Sequence, residues 1–129
     1  MKDCVELTEA EWHVMECLWE KAPRTGREMT EALSRKRGWN RSTTLTLLRR
    51  LEGKGAVTSA VESGIKMFSP ALCREDAAAQ ETESFLDRVY RGSLSVMVSS
   101  MTKKQSLRKQ EIDELYALLR ELEEGDADD

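Results

Sequence analysis

The sequence is poor in the residues from which catalytic sites, disulfide scaffolds and membrane spans are built. Its 129 residues contain one histidine, 7 Gly and 2 Pro, and they lack a Gly-rich phosphate loop, a G-x-S-x-G motif and an H-E-x-x-H motif. No apolar run approaches the roughly 18 residues of a transmembrane helix, and acidic residues stand where a signal peptide has basic ones. We therefore expect a cytoplasmic protein that is not an enzyme and needs no cofactor.

The cysteines are few, odd in number and widely spaced. Cys4, Cys17 and Cys73 form no C-x-x-C pair, which argues for a reducing compartment and against a disulfide framework. Together with His13 they do not have the spacing of a metal-ligand set. We expect Cys17 to pack within the first helix, and we predict no metal site.

Charge divides the chain into two parts. The net charge is −4, but residues 1–72 carry 12 Lys and Arg against 10 Asp and Glu, and residues 73–129 carry 8 against 14. The segment Ala32–Leu51 contains no acidic residue and six basic ones, Arg35, Lys36, Arg37, Arg41, Arg49 and Arg50. A basic island in an acidic protein is typical of a segment that faces phosphates, although a solvated helix face has the same composition.

The first part of the chain has the pattern of three helices followed by a β-hairpin. Thr-x-x-Glu capping boxes at Thr8 and Thr25 each open a helix, and a glycine ends the second helix. A third helix is predicted from about Arg41 to Lys54, and the extended segments Ala56–Val61 and Ile65–Ser69 flank a Gly turn. Three helices, the last two joined by a tight turn, and a hairpin together predict a winged helix-turn-helix.

The second part is predicted to be helical throughout. Apolar residues recur at helical spacing over Arg74–Tyr90, Leu94–Met101 and Ser106–Glu124, and the acidic tail Gly125–Asp129 is expected to fray. The predicted fold is therefore mainly α with a small β-hairpin. It consists of a winged helix-turn-helix domain over residues 1–72 and a three-helix domain over residues 73–129.

The third predicted helix has two chemically different faces. At about 100° per residue, its leucines cluster with Thr44 on one side. The opposite side carries hydroxyl and guanidinium groups and no carboxylate, on Ser42, Thr43, Thr46, Arg49 and Arg50. Such a face suits the DNA major groove, where hydroxyls meet base edges and Arg binds guanine or phosphate. The alternative for the Ser and Thr residues is helix capping alone.

Roles within this face follow from position along the helix. The N-terminal part of a recognition helix enters the groove, so we expect base reading by Arg41, Ser42, Thr43 and Thr46. Arg49 and Arg50 are expected to hold phosphates, which position the protein without specifying sequence. Lys66 of the hairpin is expected to reach the DNA backbone beside the groove.

Four segments resemble the penicillinase-repressor family (BlaI/MecI type). They are L-T-E-A-E-W-H-V-M-E-C-L-W (Leu7–Trp19), W-N-R-S-T-T-L-T-L-L-R-R-L-E-G-K-G (Trp39–Gly55), S-F-L-D-R-V-Y-R-G-S-L-S-V-M-V (Ser84–Val98) and E-I-D-E-L-Y-A-L-L (Glu111–Leu119). The resemblance implies a homodimeric transcriptional repressor on a palindromic operator. At the start of the recognition helix the family often has Pro-Lys, whereas this chain has Arg41-Ser42, and Leu45 replaces a residue that is usually polar. The resemblance therefore does not predict the operator sequence.

The resemblance also implies a way to relieve repression. Members of the family are cut within the short helix that follows the glycine, and a membrane-bound sensor-transducer protease is the implied partner. The aligned bond here is Ser100-Met101. The alternative is that Met101 belongs to the dimer core.

Dimerisation is also indicated by the residues themselves. A winged domain of about 70 residues offers a modest core, and no sheet covers the apolar stripes of the second part. We expect these stripes to associate between two chains through Phe85, Leu86, Val89, Leu94, Met97, Ile112, Leu115, Tyr116, Leu119 and Leu122. The alternative is that they fold back onto their own winged domain.

Two further functions are compatible with the sequence. One is a metal- or redox-responsive repressor that uses Cys4, Cys17 and Cys73. The other is a helical module that binds another protein and has no role on DNA.

Overall fold

A computed structural model describes residues 5–127 of the chain. The elements follow in the order α1 (Glu9–Glu20), β1 (Arg24–Thr25), α2 (Gly26–Arg37), α3 (Arg41–Lys54), β2 (Val57–Glu62), β3 (Ile65–Pro70), α4 (Arg74–Tyr90), α5 (Leu94–Lys104) and α6 (Lys109–Ala127). Three helices, a hairpin and three further helices confirm the predicted fold class. No helix in this range is both long and apolar enough to cross a membrane.

Both predicted capping boxes are present. The Thr8 hydroxyl accepts from the Glu11 amide at 3.1 Å, and the Thr8 amide donates to the Glu11 carboxylate at 2.8 Å. The corresponding distances at Thr25 and Glu28 are 3.1 and 2.9 Å. Each box satisfies two amides that a helix start leaves without partners, and this fixes where α1 and α2 begin.

Glu11 has a second contact that joins α1 to the end of α3. Its side chain is fully buried, and Nζ of Lys54 lies 2.6 Å from Oε1. Burial alone would raise the pKa of this carboxyl, but hydrogen bonds from Lys54 and Thr8 and the Lys54 charge outweigh it and hold the pKa below its usual value of 4.5. Glu11 is therefore ionised in the folded protein at neutral pH.

The sheet has three antiparallel strands in the order β1-β3-β2. The hairpin pairs Val57 with Pro70 and Glu62 with Ile65, within one residue of the predicted segments. Ser63 and Gly64 both have positive φ, 51° and 79°, which is the conformation of a tight hairpin turn. β1 was not predicted, because two residues with no pattern of their own become a strand only by pairing with β3.

The core of the winged domain lies between its three helices and the hairpin. Its largest fully buried apolar side chains are Met15, Leu18, Met29, Leu33, Leu48, Leu51, Val14 and Val57. They come from α1, α2, α3 and β2, as the 3.6-residue periodicity predicts. In α4 the buried residue is Ala77, next to Ala78, which the pattern had placed on the inner face.

Contacts between Cα atoms divide the chain into two compact units at Phe85 and Leu86, within α4. The second unit contains the end of α4, α5 and α6. α6 starts at Lys109, three residues later than predicted, and continues to Ala127. The expectation that the tail frays from Gly125 onward is therefore wrong up to residue 127. The helix continues through Gly125 to Ala127, and Asp128 and Asp129 lie outside the described residues.

Candidate nucleic-acid interface

α3 begins at an asparagine cap and turns its apolar side inward. The side chain of Asn40 accepts from the Thr43 amide at 2.9 Å. The buried residues of the helix are Thr44, Leu47, Leu48 and Leu51, as predicted. Because Asn40 supplies the cap, helix capping does not account for the hydroxyls of Ser42 and Thr43.

The opposite side of α3 is exposed and positively charged. Arg41, Ser42, Thr43, Arg49 and Arg50 are exposed, and Thr46 is half-buried. Within residues 5–127, no salt bridge occupies the guanidinium groups of the three arginines. The structure therefore brings six of the seven predicted DNA-binding residues together on one helix surface without a carboxylate among them.

The seventh, Lys66, lies on β3 and is already paired. Its Nζ is 3.5 Å from Oε1 of Glu52 and 5.3 Å from the centre of the Phe68 ring. Ser59 of β2 donates to the other oxygen of Glu52 at 2.5 Å. The hydrogen bond from Ser59, followed by the charge of Lys66, lowers the pKa of Glu52. Glu52 thus connects the last turn of α3 to both strands of the hairpin, a link that sequence reasoning missed.

A cleft of about 830 Å³ separates α3 from the start of α2 and the hairpin. Leu45 lines it and packs close to Gly26, where a Cβ would lie 3.4 Å from the leucine methyl. Arg41 and Arg49 line the same cleft, together with Ile65. The cleft is therefore lined by apolar side chains and, on the α3 side, by Arg41, Arg49 and the carboxylate of Glu52.

The C-terminal helices expose long apolar stripes. In α6, Ile112, Leu115, Tyr116, Leu119 and Leu122 are between 38% and 62% exposed. Phe85, Val89 and Leu94 are exposed too, and Leu86 and Met97 are half-buried. Leu118 and Val96, which are not among the predicted dimer residues, are also exposed. Leu118 lies beside Leu122 and Leu115 around the α6 axis, so the stripe is wider than predicted.

The bond at which the family resemblance predicts cleavage, Ser100-Met101, lies within α5. Ser100 and Met101 are both exposed, and Met101 is 61% exposed. The hydroxyl of Tyr90 donates to Ser100 Oγ at 3.3 Å, which links the end of α4 to α5. The bond is accessible to solvent but lies in helical backbone.

The two cysteines that the structure describes, Cys17 and Cys73, form no disulfide. Cys17 is buried in α1, and burial raises the pKa of its thiol. Cys73 is exposed just before α4, and Cys4 lies outside the described residues. In the part of the chain that the structure describes, no three His, Cys, Asp or Glu side chains are placed to hold a metal ion.

Known proteins resemble this chain in sequence and in the fold of the winged domain. The Penicillinase repressor family model matches residues 7–121. The penicillinase repressor of Bacillus licheniformis is 32% identical over 121 residues, 94% of each chain. The methicillin resistance regulatory protein MecI of Mammaliicoccus sciuri is 28% identical over 114 residues, 88% of this chain and 93% of that protein.

Solved structures agree with this similarity. The DNA-binding domain of the repressor BlaI aligns with a TM-score of 0.53 and 29% identity, over 59% of this chain and 93% of that one. The B. licheniformis BlaI monomeric form in complex with the blaP half-operator aligns with the same values. Sequence and structure thus agree over the winged domain, and the family match extends into α6. The chain belongs to the penicillinase repressor family.

Proposed function

We propose that the protein is a homodimeric transcriptional repressor, acting in the cytoplasm without catalysis, that binds a palindromic operator. Residues 1–72 contact the DNA and residues 73–129 form the dimer. The observation that carries this proposal is the exposed side of α3, which has three arginines and three hydroxyl residues and no carboxylate. The similar BlaI protein, solved in complex with the blaP half-operator, supports DNA binding by the winged domain here.

The roles of the site residues follow from their place on α3. Arg41, Ser42, Thr43 and Thr46 lie in its first two turns and read base edges in the major groove. Arg49 and Arg50 lie further along and bind phosphates. Lys66 contacts the backbone from the hairpin when a phosphate replaces the carboxylate of Glu52 as its partner.

The exposed C-terminal stripes support the dimer. Apolar side chains in α4, α5 and α6 remain exposed within the single chain, which favours association over folding back onto the winged domain. Full burial of an exposed Leu, Val, Met or Phe contributes about 1.5–3 kcal/mol. These side chains are already about half-buried, so each contributes less and the whole set is needed to offset the cost of association. A two-fold dimer also presents two copies of α3 to a palindrome.

We further propose that cleavage of Ser100-Met101 by a membrane-bound sensor-transducer protease relieves repression. The exposure of both residues supports this assignment, and α5 must open locally before a protease can bind the bond in extended form. Mass spectrometry of the protein recovered from derepressed cells should find a fragment that starts at Met101. Derepression with an intact chain would contradict this proposal.

Selection of bound duplexes from a random pool tests the function directly. We expect a palindrome with two equal half-sites. On the selected duplex, about six phosphate contacts per dimer predict a slope of log K against log salt near −5. A protein that ignores every duplex at low ionic strength would overturn the proposal and favour a helical module that binds another protein.

A further inference from the structure

Three residues on one face of α1 contact the segment that leads into α4. Trp12, Glu16 and Trp19 are spaced i, i+4 and i+7, so their side chains form one row. The two tryptophan rings meet edge to face, with centroids 5.2 Å apart and planes at 71°. The indole Nε1 of Trp19 donates to the carbonyl oxygen of Leu72 at 2.8 Å. This bond fixes the backbone two residues before α4 begins.

Arg74, the first residue of α4, completes the cluster. Its Nε lies 2.9 Å from Oε1 of Glu16, and a terminal nitrogen lies 3.5 Å from Oε2. The same guanidinium stands over the Trp12 ring, with Cζ 5.8 Å from the ring centre. A planar group held by a carboxylate and by a ring has a defined orientation, which a single surface ion pair does not provide. We name Trp12, Glu16, Trp19 and Arg74 the α1–α4 joint.

The joint holds the start of α4 through an ion pair, a ring contact and a backbone hydrogen bond. Ala77 is buried and Ala78 and Gln80 are half-buried, so apolar burial in the first turns of α4 is small. With 17 residues, α4 is about 25 Å long. A rotation of about 10° at its start therefore moves its far end by about 4 Å, close to the rise of one base pair, about 3.4 Å.

We propose that the α1–α4 joint sets the half-site spacing that the operator must have. The inference rests on the proposed function, because it requires two winged domains connected through C-terminal helices. The four residues lie on α1 and at the start of α4, away from the exposed face of α3. They act as positioning residues, which determine how far apart the two copies of α3 are presented and leave the contacts within each half-site unchanged.

The test compares two changes of the same kind on α1. The double variant Glu16→Gln/Trp19→Phe removes the carboxylate partner of Arg74 and the donor to Leu72 while it keeps an aromatic ring. Glu20→Gln is the matched control, because Glu20 is also on α1, pairs with Lys36 of α2 at 2.8 Å, and its change also removes one negative charge. Each full-length protein is titrated with a single half-site and with the selected operator. The titrations are repeated with operators in which the spacing between the half-sites is one or two base pairs longer or shorter.

We expect wild type and Glu20→Gln to bind the selected spacing about tenfold or more tightly than its neighbours, because the wrong spacing prevents both domains from binding at once. In the double variant this preference should fall to within about threefold, with half-site affinity within about twofold of wild type. Glu16→Gln alone should show a smaller loss in the same direction, and circular dichroism checks that each variant is folded.

Two results would overturn the inference. One is an unchanged spacing profile in the folded double variant. The other is a parallel loss of half-site affinity, which would make the cluster part of the winged core. Failure of the proposed function gives a different result, because the wild-type protein would then bind no duplex or show no preference for paired half-sites. The inference about the α1–α4 joint would then be wrong as well.

Discussion

Thr46 and Arg50 lie one helical turn apart on α3 and have different chemistry toward DNA. A threonine can discriminate bases through its hydroxyl and methyl groups, whereas an arginine on a phosphate is indifferent to sequence. Arg50→Ala should weaken binding to all duplexes alike and make the salt slope of the dimer shallower by about 2, one phosphate per chain. Thr46→Ala should reduce discrimination against mismatched half-sites by about 1–3 kcal/mol.

Titration against a panel of single-mismatch duplexes at several salt concentrations separates these effects. Arg120→Ala is the matched control for Arg50→Ala, because Arg120 is an exposed arginine of α6, far along the chain from α3. If neither α3 substitution changes the titrations, the DNA-facing side of α3 has been assigned wrongly.

Glu11 makes the stability of the winged domain depend on pH. The pKa of its carboxyl is below 4.5 in the folded protein, so its stabilising contribution is complete at neutral pH. The contribution is lost as the pH falls through the folded-state pKa, because the protonated acid no longer pairs with Lys54. Glu11→Gln should lower the free energy of unfolding at pH 7 by about 1–3 kcal/mol and remove part of the decline below pH 4.5.

Urea denaturation of both proteins between neutral and acidic pH measures the difference. Glu9→Gln, an exposed change in the same first turn, should leave the acid decline as it is in wild type. A Glu11→Gln protein with a wild-type pH profile would show that the ion pair with Lys54 does not contribute.

Local sequence patterns predicted most of the helices and strands correctly. They did not predict the contacts between segments that are distant in the sequence. The capping boxes at Thr8 and Thr25 fixed two helix starts because both partners lie within four residues. β1 depends on a strand some 40 residues later, so no local pattern marks it. The sequence did not predict the role of Glu52 either, because its partners Ser59 and Lys66 lie on the hairpin and contact it only in the folded structure.

The link between α3 and the hairpin leads to a prediction about charge. Glu52 places a carboxylate beside the arginine-rich side of α3 and neutralises Lys66. Glu52→Gln can still accept the hydrogen bond from Ser59, but it removes the negative charge and releases Lys66. We expect nonspecific duplexes to bind roughly twofold to tenfold more tightly at low salt, with the gain disappearing at high salt.

Ser59→Ala is the control, because it removes the hydrogen bond to Glu52 but keeps the charges of Glu52 and Lys66. If the charge of Glu52 is what weakens DNA binding, Ser59→Ala should not increase the affinity at low salt. Equal affinities of wild type and Glu52→Gln, measured by fluorescence anisotropy across a salt series, would contradict the assignment of Lys66 to the DNA backbone.

In the proposed dimer, two copies of α3 are presented to the operator together. The winged domain has its own buried core, whereas the described part of the second unit has no residue classed as buried. In the proposed dimer, the C-terminal helices gain most from the second chain, and the affinity for a palindrome depends on that association. Leu119 is the most direct place to break it, because it lies within the apolar stripe of α6 and is half exposed in the single chain.

Leu119→Asp should therefore convert the dimer to a monomer. The substitution places two carboxylates in an apolar interface, which should raise the dimer dissociation constant by at least about 100-fold. Sedimentation velocity measures the change, and the monomer should still bind a half-site while losing its preference for the full operator. Ala117→Asp is the matched control, because it adds the same charge two residues away, about 200° around the helix and off the stripe. A Leu119→Asp protein that remains dimeric would place this stripe in an intramolecular contact, and the association would then have to be sought on another surface.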